Sequence, residues 1–195
     1  ARDAGFRYLL VHVVGGLILL AGIVFYIQKT GTTSFDYIGL NDPASWFIFI
    51  GIALNAAAIP LHSWLPDAYP MGTPTSTVFL SAFTTKSAVY LLIRTFPGTD
   101  LLIVIGALMV SIPIFYAVLE NDIRRVLSYS LMNQVGFMLV GVGIGTELAI
   151  NGAVAHAFCH IIYKALLFMA AGSVLQMTGK IKCTEIGGLY KTMPL

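Results

Sequence analysis

Six apolar runs, joined by connectors too short to fold on their own, leave this chain little choice of architecture. They cover residues 5–28, 43–65, 75–96, 100–119, 123–144 and 147–177. Most reach the ~20 residues that a helix needs to cross the hydrocarbon core of a bilayer. Inside that core no water is available to backbone N–H and C=O groups, so each span must satisfy them internally, as a helix does. The chain is 57% hydrophobic and only 10% charged, against roughly 25% charged residues in a soluble domain. The expectation is an all-α, polytopic transmembrane bundle of about six helices embedded in a lipid bilayer, with residues 1–195 forming a single transmembrane domain. The pattern is already under way at both ends, so a longer parent protein is expected. A net charge of +2 with no basic run excludes nucleic acid as a partner. Cys159 lies within an apolar run and Cys183 in a polar tail, which suggests no disulfide.

Basic residues set the expected orientation. If six spans alternate sides, one side receives Arg2, Arg7, Arg124, Arg125, Lys180, Lys182 and Lys191, and the other only Lys29 and Arg94. A bias of this kind in short loops places the richer side in the cytoplasm. Both ends of the chain are then cytoplasmic, provided that the second run crosses fully.

The second run is irregular. Asp42 followed by Pro43 suits a helix start. Pro60 then interrupts the run. Within a helix it would remove one N–H and leave the carbonyl of Ala56, four residues earlier, without its partner. Non-helical backbone at membrane depth is tolerated where it lines a cavity or is buried in protein, and broken helices hold ion sites in transporters. Asn55, Ala56 and Pro60 are therefore candidates for an ion or water site at the break. A proline kink with a purely structural role is the competing reading.

The remaining candidates are ionisable groups at membrane depth. His156, His160 and Lys164 follow an i, i+4, i+8 spacing, which on a helix is one stripe about 12 Å long. Lys86 is the twelfth residue of the third run, among Ser81, Thr84, Thr85 and Ser87. A lysine at the bilayer centre costs at least ~2.5–3.5 kcal/mol on insertion scales, and intramembrane ionisable residues are functional candidates by default. Lys86 is too far from either interface to snorkel there easily. Together Lys86, His156, His160 and Lys164 suggest a proton path, since histidine titrates near neutral pH. The His156–His160 pair also has metal-ligand spacing. A zinc site wants three or four ligands, only Cys159 is near, and Ala157 stands where a zincin helix has glutamate, so no metal is expected. Ser128, Ser130, Asn133 and Gln134 make the fifth run polar, either to hydrate a path or to bond neighbouring helices. Gly141, Gly143 and Gly145 follow a membrane helix rather than a strand and do not form a nucleotide loop. All nine acidic residues lie in connectors or at helix ends, so neither buried lysine has a carboxylate in its own run.

Three stretches carry a family resemblance: PLHSWLPDAYPMGTPTSTVFLSAFTTKSAVYLLIR (60–94), ENDIRRVLSYSLMNQVGFML (120–139) and HAFCHIIYKALLFMAAGSVLQMTG (156–179). GGLYK at 187–191 adds to them. They resemble the antiporter-like membrane subunits shared by respiratory complex I and Mrp-type multisubunit cation/proton antiporters, with features nearest the branch of the Mrp D subunit. The resemblance extends over essentially the whole chain. It implies a larger inverted-repeat fold of about fourteen helices, of which this chain is the middle portion, with the second helix of this stretch broken at Pro60. It also implies that Lys86 is the linking lysine after the broken helix, and that His160 and Lys164 belong to the central hydrophilic axis. His156 matches an additional axis histidine found in some branches. One position departs: Asn55 stands where the family has a lysine, seven residues before His62.

The expected function is proton translocation within an Mrp-type antiporter that exchanges H+ for Na+ or another monovalent cation, together with other membrane subunits. The expected location is the bacterial inner (plasma) membrane. The first rival is the proton-pumping membrane subunit of an NADH:quinone oxidoreductase or a related membrane hydrogenase. The second is a structural subunit without transport. No catalytic centre, cofactor or redox group is expected in this chain, which lacks the cysteine and histidine sets that hold clusters or haem.

Overall fold

The computed structural model of the protein describes residues 2–193. Among these residues every element is helical: α1 (Arg2–Thr30), α2 (Pro43–Asn55), α3 (Trp64–Ala68), α4 (Pro74–Thr95), α5 (Asp100–Leu119), α6 (Ile123–Ile144), α7 (Glu147–Thr178) and α8 (Leu189–Thr192), with 3-10 turns at Tyr69–Met71 and Cys183–Glu185. Five helices, α1, α4, α5, α6 and α7, are long and apolar enough to cross a membrane. The chain is an integral, multi-pass membrane protein.

The sixth crossing is made by a broken segment. Helix α2 has 13 residues, or about 20 Å of rise, which is too short to span alone. It starts as the sequence suggests, with Pro43 at the first position and Ser45 Oγ accepting from Asp42 N at 3.2 Å. Its end differs from the expectation. Helix α2 stops at Asn55, before Pro60 is reached. Ala58 N donates to Ala53 O (2.9 Å) and Ala57 N to Leu54 O (3.1 Å), with Ala57 at φ +56°. These two bonds form a Schellman closure with alanine at the position that glycine usually takes. Pro60 lies beyond it, after a cis Ile59–Pro60 bond. The loss of an i−4 helical bond therefore does not apply to Pro60. The break is closed by local carbonyl capping four residues upstream. The segment nonetheless crosses: Lys29 pairs with Asp42 at one end of α1, and Arg7 pairs with Asp67 (2.6 Å) at the other. The alternation assumed for the charge count is thus met.

Close helix contacts are made at small residues. A Cβ on Gly106 of α5 would lie 2.7 Å from Gly136 O, and one on Gly136 of α6 would lie 2.8 Å from Gly106 O. The two glycines let these backbones touch, as small residues do in membranes. Gly22 and Gly51 serve α1 and α2 in the same way: a Cβ at either would lie 2.7 Å from the facing helix. Polar caps start the later helices. Thr73 Oγ1 accepts from Ser76 N, Asp122 from Arg124 N and Arg125 N, and Thr146 from Ala149 N.

Arg124, at the start of α6, is buried, only 3% exposed. Nη1 donates to Pro70 O (2.9 Å), and Nη2 to Gly72 O (2.8 Å) and Thr77 Oγ1 (2.6 Å). Thr77 Oγ1 in turn donates to Tyr69 O (2.9 Å). One guanidinium therefore ties the α3–α4 connection to α6. Beyond α7 the chain returns to the α5–α6 connector, where Cys183 N donates to Asn121 O (2.8 Å) and Ile123 N to Ile181 O (3.1 Å).

The glycine contact gives a direct test. Gly136→Ala should lower thermal stability in detergent by about 1–3 kcal/mol, the usual penalty of overpacking. Gly5→Ala, with nothing within 4 Å of its Cβ, should not lower it. Equal melting temperatures for the two variants would refute the close α5–α6 contact.

Candidate functional site

Helix α7 packs against both α4 and α6, and the face at that junction carries the predicted stripe. His160 is fully buried and Lys164 is 2% exposed. His156 is half-buried, and Cys159 lies exposed. From α4, Lys86 joins the same region at 6% exposure. Its ammonium donates to Ser81 O (2.6 Å) and lies 3.3 Å from Thr85 Oγ1. Lys164 Nζ donates to Ser130 Oγ of α6 (2.8 Å). His160 lies one turn before Lys164 on α7, and neither of its ring nitrogens has a hydrogen-bond partner among the described residues. The charges of Lys86, Lys164 and His156 all act on it, and its ring centroid is 6.1 Å from that of His156. The four residues singled out for a path are therefore brought together, although Lys86 is 70 positions or more from the others.

The chemistry of this arrangement follows from its partners. The ion pairs among the described residues lie outside the lysine cluster and involve neither Lys86 nor Lys164. Both ammoniums are held by neutral oxygens alone. Two like charges in one low-dielectric site repel strongly, so the protonation of either lysine depends on the other. An imidazole with two free nitrogens can accept a proton at one and release it at the other. The cluster can hold a variable number of protons and exchange them internally.

The polar residues of α6 divide between the two readings. Ser130 receives Lys164. Gln134 Oε1 accepts from the Tyr163 hydroxyl (3.2 Å) and its Nε2 donates to Asn133 Oδ1 (3.2 Å), while Asn133 Nδ2 donates to Val110 O of α5 (2.6 Å). Ser128 bonds back to Arg124 O in its own helix (2.8 Å). Interhelical bonding dominates, and Ser130 belongs to the lysine cluster.

At the break, Asn55 Nδ2 donates to Gly51 O within α2 (3.2 Å). Ala56 is fully buried and Pro60 is exposed. Trp64 Nε1 donates to Leu54 O (3.1 Å) and covers the end of the helix. Among the described residues no group of three or more His, Cys, Asp or Glu side chains gathers anywhere as a metal site would require.

Sequence reasoning passed over two histidines. Both ring nitrogens of His12 in α1 and Nδ1 of His62 at the break are buried without partners. His62 also lines a cavity of about 320 Å³ with Ser63, Pro66, Asp67, Tyr116, Arg125 and Tyr129. His12 was detectable by the rule that found the lysines, an ionisable group inside an apolar run. A neutral imidazole costs less to bury than an ammonium and so stands out less.

Residues 1–195 match the family described as NADH:quinone oxidoreductase/Mrp antiporter, TM. The chain belongs to this family. It is 31% identical to the D subunit of the Na(+)/H(+) antiporter of Alkalihalophilus pseudofirmus, over 96% of this chain and 42% of that protein. It is 30% identical to the N subunit of the NADH-quinone oxidoreductase of Desulforudis audaxviator, over 98% of this chain and 42% of that protein. Its fold matches a chain of the Mrp complex from Dietzia sp. DQ12-45-1b with a TM-score of 0.91 at 28% identity, covering 98% of this chain and 39% of that one. This member of the family thus spans about two fifths of the length of these relatives.

The Lys164–Ser130 bond can be probed in the full-length protein. Ser130→Ala removes the hydroxyl partner of Lys164 and should lower proton flux on the order of tenfold, with Ser130→Thr restoring it, because a hydrogen bond to a charged group is worth ~1.5–3 kcal/mol. Unchanged flux in Ser130→Ala would show that the bond has no part in transport.

Proposed function

We propose that this chain is the proton-conducting middle portion of one subunit of an Mrp-type multisubunit antiporter that exchanges H+ for Na+ or another monovalent cation. Protons pass among Lys86, His160, Lys164 and His156. The observation that carries this reading is a buried, unpartnered His160 that feels the charges of two buried lysines, which are themselves held only by neutral oxygens. A proton arriving at Lys86 raises the cost of a charge at Lys164, and the imidazole offers the route between them. The likeness to the D subunit of an Na(+)/H(+) antiporter supports the Mrp assignment. The protein works with other membrane subunits in the plasma membrane of a bacterium, with the Arg7–Asp67 end of the bundle, and with it both ends of this chain, in the cytoplasm. The excess of Arg and Lys at that end supports the orientation.

A second reading has its own support. The similarity to one subunit of an NADH-quinone oxidoreductase is nearly as high, and in such a complex the same residues would pump protons driven by electron transfer elsewhere.

Everted vesicles carrying the full-length protein and its partner subunits separate the two. Under an imposed proton gradient without an electron donor, Na+ should dequench a pH-sensitive dye. Lys164→Ala and Lys86→Ala should each reduce that response on the order of 10²-fold, the scale of a lost proton-transfer group. A response that requires NADH and is abolished by the same substitutions would establish the respiratory reading. Undiminished transport in both variants would leave a structural subunit without a lysine path.

A further inference from the structure

Tyr69 is fully buried in the 3-10 turn that leads from α3 into α4. A buried tyrosine hydroxyl usually finds some partner, so the bond it makes is ordinary. The place of that bond is not. The hydroxyl donates to Leu80 O (2.9 Å) inside α4, and the next carbonyl, Ser81 O, accepts from the Lys86 ammonium at 2.6 Å. Lys86 reaches it by folding back toward the start of its own helix, the direction in which helical side chains lean. Ser81 Oγ donates to Val78 O (2.8 Å) in the same turn. Three carbonyls among residues 78–81 thus accept side-chain donors, a pattern that bends a helix locally. Lysine and acceptor belong to one helix, so the shape of this turn sets the geometry of their bond. The only other oxygen on the ammonium, Thr85 Oγ1, is more distant at 3.3 Å.

Tyr69 is itself held from three sides. Its carbonyl accepts from Thr77 Oγ1 (2.9 Å), which in turn accepts from the Arg124 guanidinium (2.6 Å). Its ring lies edge-on to that of Trp64, with centroids 6.0 Å apart at 68°. The Trp64 indole donates to Leu54 O at the end of α2 (3.1 Å). An unbroken set of contacts therefore runs from the end of α2, through Trp64 and Tyr69, to the turn that holds Lys86.

We infer that Tyr69 is a positioning residue for proton exchange at Lys86: its hydroxyl shapes the turn whose Ser81 carbonyl holds the ammonium, and its ring ties that turn to the broken segment. The inference rests on the proton-conducting reading above. Tyr69 takes up no proton itself. A displacement of the broken segment changes how firmly Lys86 holds its proton. The elements packed against α4 are α2, α6, α7 and the Tyr69 turn. From α7, His156, His160 and Lys164 belong to the lysine cluster. From α6, Arg124 is committed to its fork of oxygens, and Arg125 and Tyr129 engage Glu120 and Tyr116. Helix α2 brings no charged or titratable group. The Tyr69 hydroxyl bonds to α4, so its removal acts first on Lys86.

The test follows proton flux against pH in everted vesicles carrying the full-length protein with its partner subunits. Tyr69→Phe keeps the ring against Trp64 and removes the hydroxyl. It is expected to assemble normally and to move the high-pH limb of the flux profile down by about one pH unit, the scale of a weakened hydrogen bond to a charged group. A ring that only fills space would change the amount of assembled complex and leave the profile in place. In a Lys86→Ala background the same substitution should alter nothing further, because it acts through Lys86. A wild-type profile in Tyr69→Phe overturns the inference, as does an equal further loss of flux in the Lys86→Ala background. If Tyr69→Phe fails to assemble, Thr77→Val, which removes the hydroxyl on Tyr69 O, decides by the same shift, with Thr77→Ser expected to restore the wild-type profile. Lys86→Ala alone separates the levels. If it is silent, the proton path itself has failed; if it loses flux while the Tyr69 and Thr77 variants keep the wild-type profile, only the positioning role is refuted.

Discussion

Everything in this structure answers to two ammonium groups buried in apolar surroundings without a carboxylate between them. A buried charge ordinarily needs a paired ion and a full set of hydrogen bonds. Lys86 has one backbone carbonyl and one more distant hydroxyl, and Lys164 has one hydroxyl. Arg124 shows the contrast. It is as deeply buried, but its guanidinium is met by a fork of carbonyl and hydroxyl oxygens from the α3–α4 connection. An arginine so held stays charged and acts as a fixed tie. A lysine with a single neutral partner can give up a proton at small structural cost, which suits it to exchange.

The fold keeps these groups apart from lipid. Gly106 and Gly136 bring α5 hard against α6, and α6 in turn presents Ser130 to α7. The broken segment stays in register through an ion pair at each end and the indole of Trp64 at its middle. Tyr69, locked beside Arg124, sends its hydroxyl to Leu80 O (2.9 Å), one residue before the carbonyl that holds Lys86. A shift of the broken segment would therefore be felt at the lysine through two adjacent carbonyls of a single helix.

Much of this was legible in the sequence for a simple reason: lipid imposes length and polarity rules that survive without knowledge of packing. Five long spans, the irregular second crossing and the His156–His160–Lys164 stripe follow from run lengths and an i, i+4 spacing. What those rules could not supply was local closure and contact between distant residues. Pro60 drew attention as the helix breaker, yet Ala57 in a left-handed conformation ends α2 first, and alanine carries no turn signal. Arg124 enters the sequence reading only as one of the basic residues of the charge count, because nothing in its own stretch reveals the carbonyls of Pro70 and Gly72. His12 carries the same kind of signal as the lysines, at lower amplitude, and its aromatic setting depends on Trp64, 52 positions away.

The proposed path depends most on His160, a buried imidazole with no hydrogen-bond partner among the described residues. The most direct measurement is therefore proton flux through the assembled, full-length protein carrying His160→Gln, which retains hydrogen-bonding capacity and removes the titratable ring. The account predicts that flux falls to the level of vesicles lacking the protein while the complex remains intact. Flux at the wild-type rate in an intact complex would contradict it, since protons would then cross without the imidazole that joins Lys86 to Lys164.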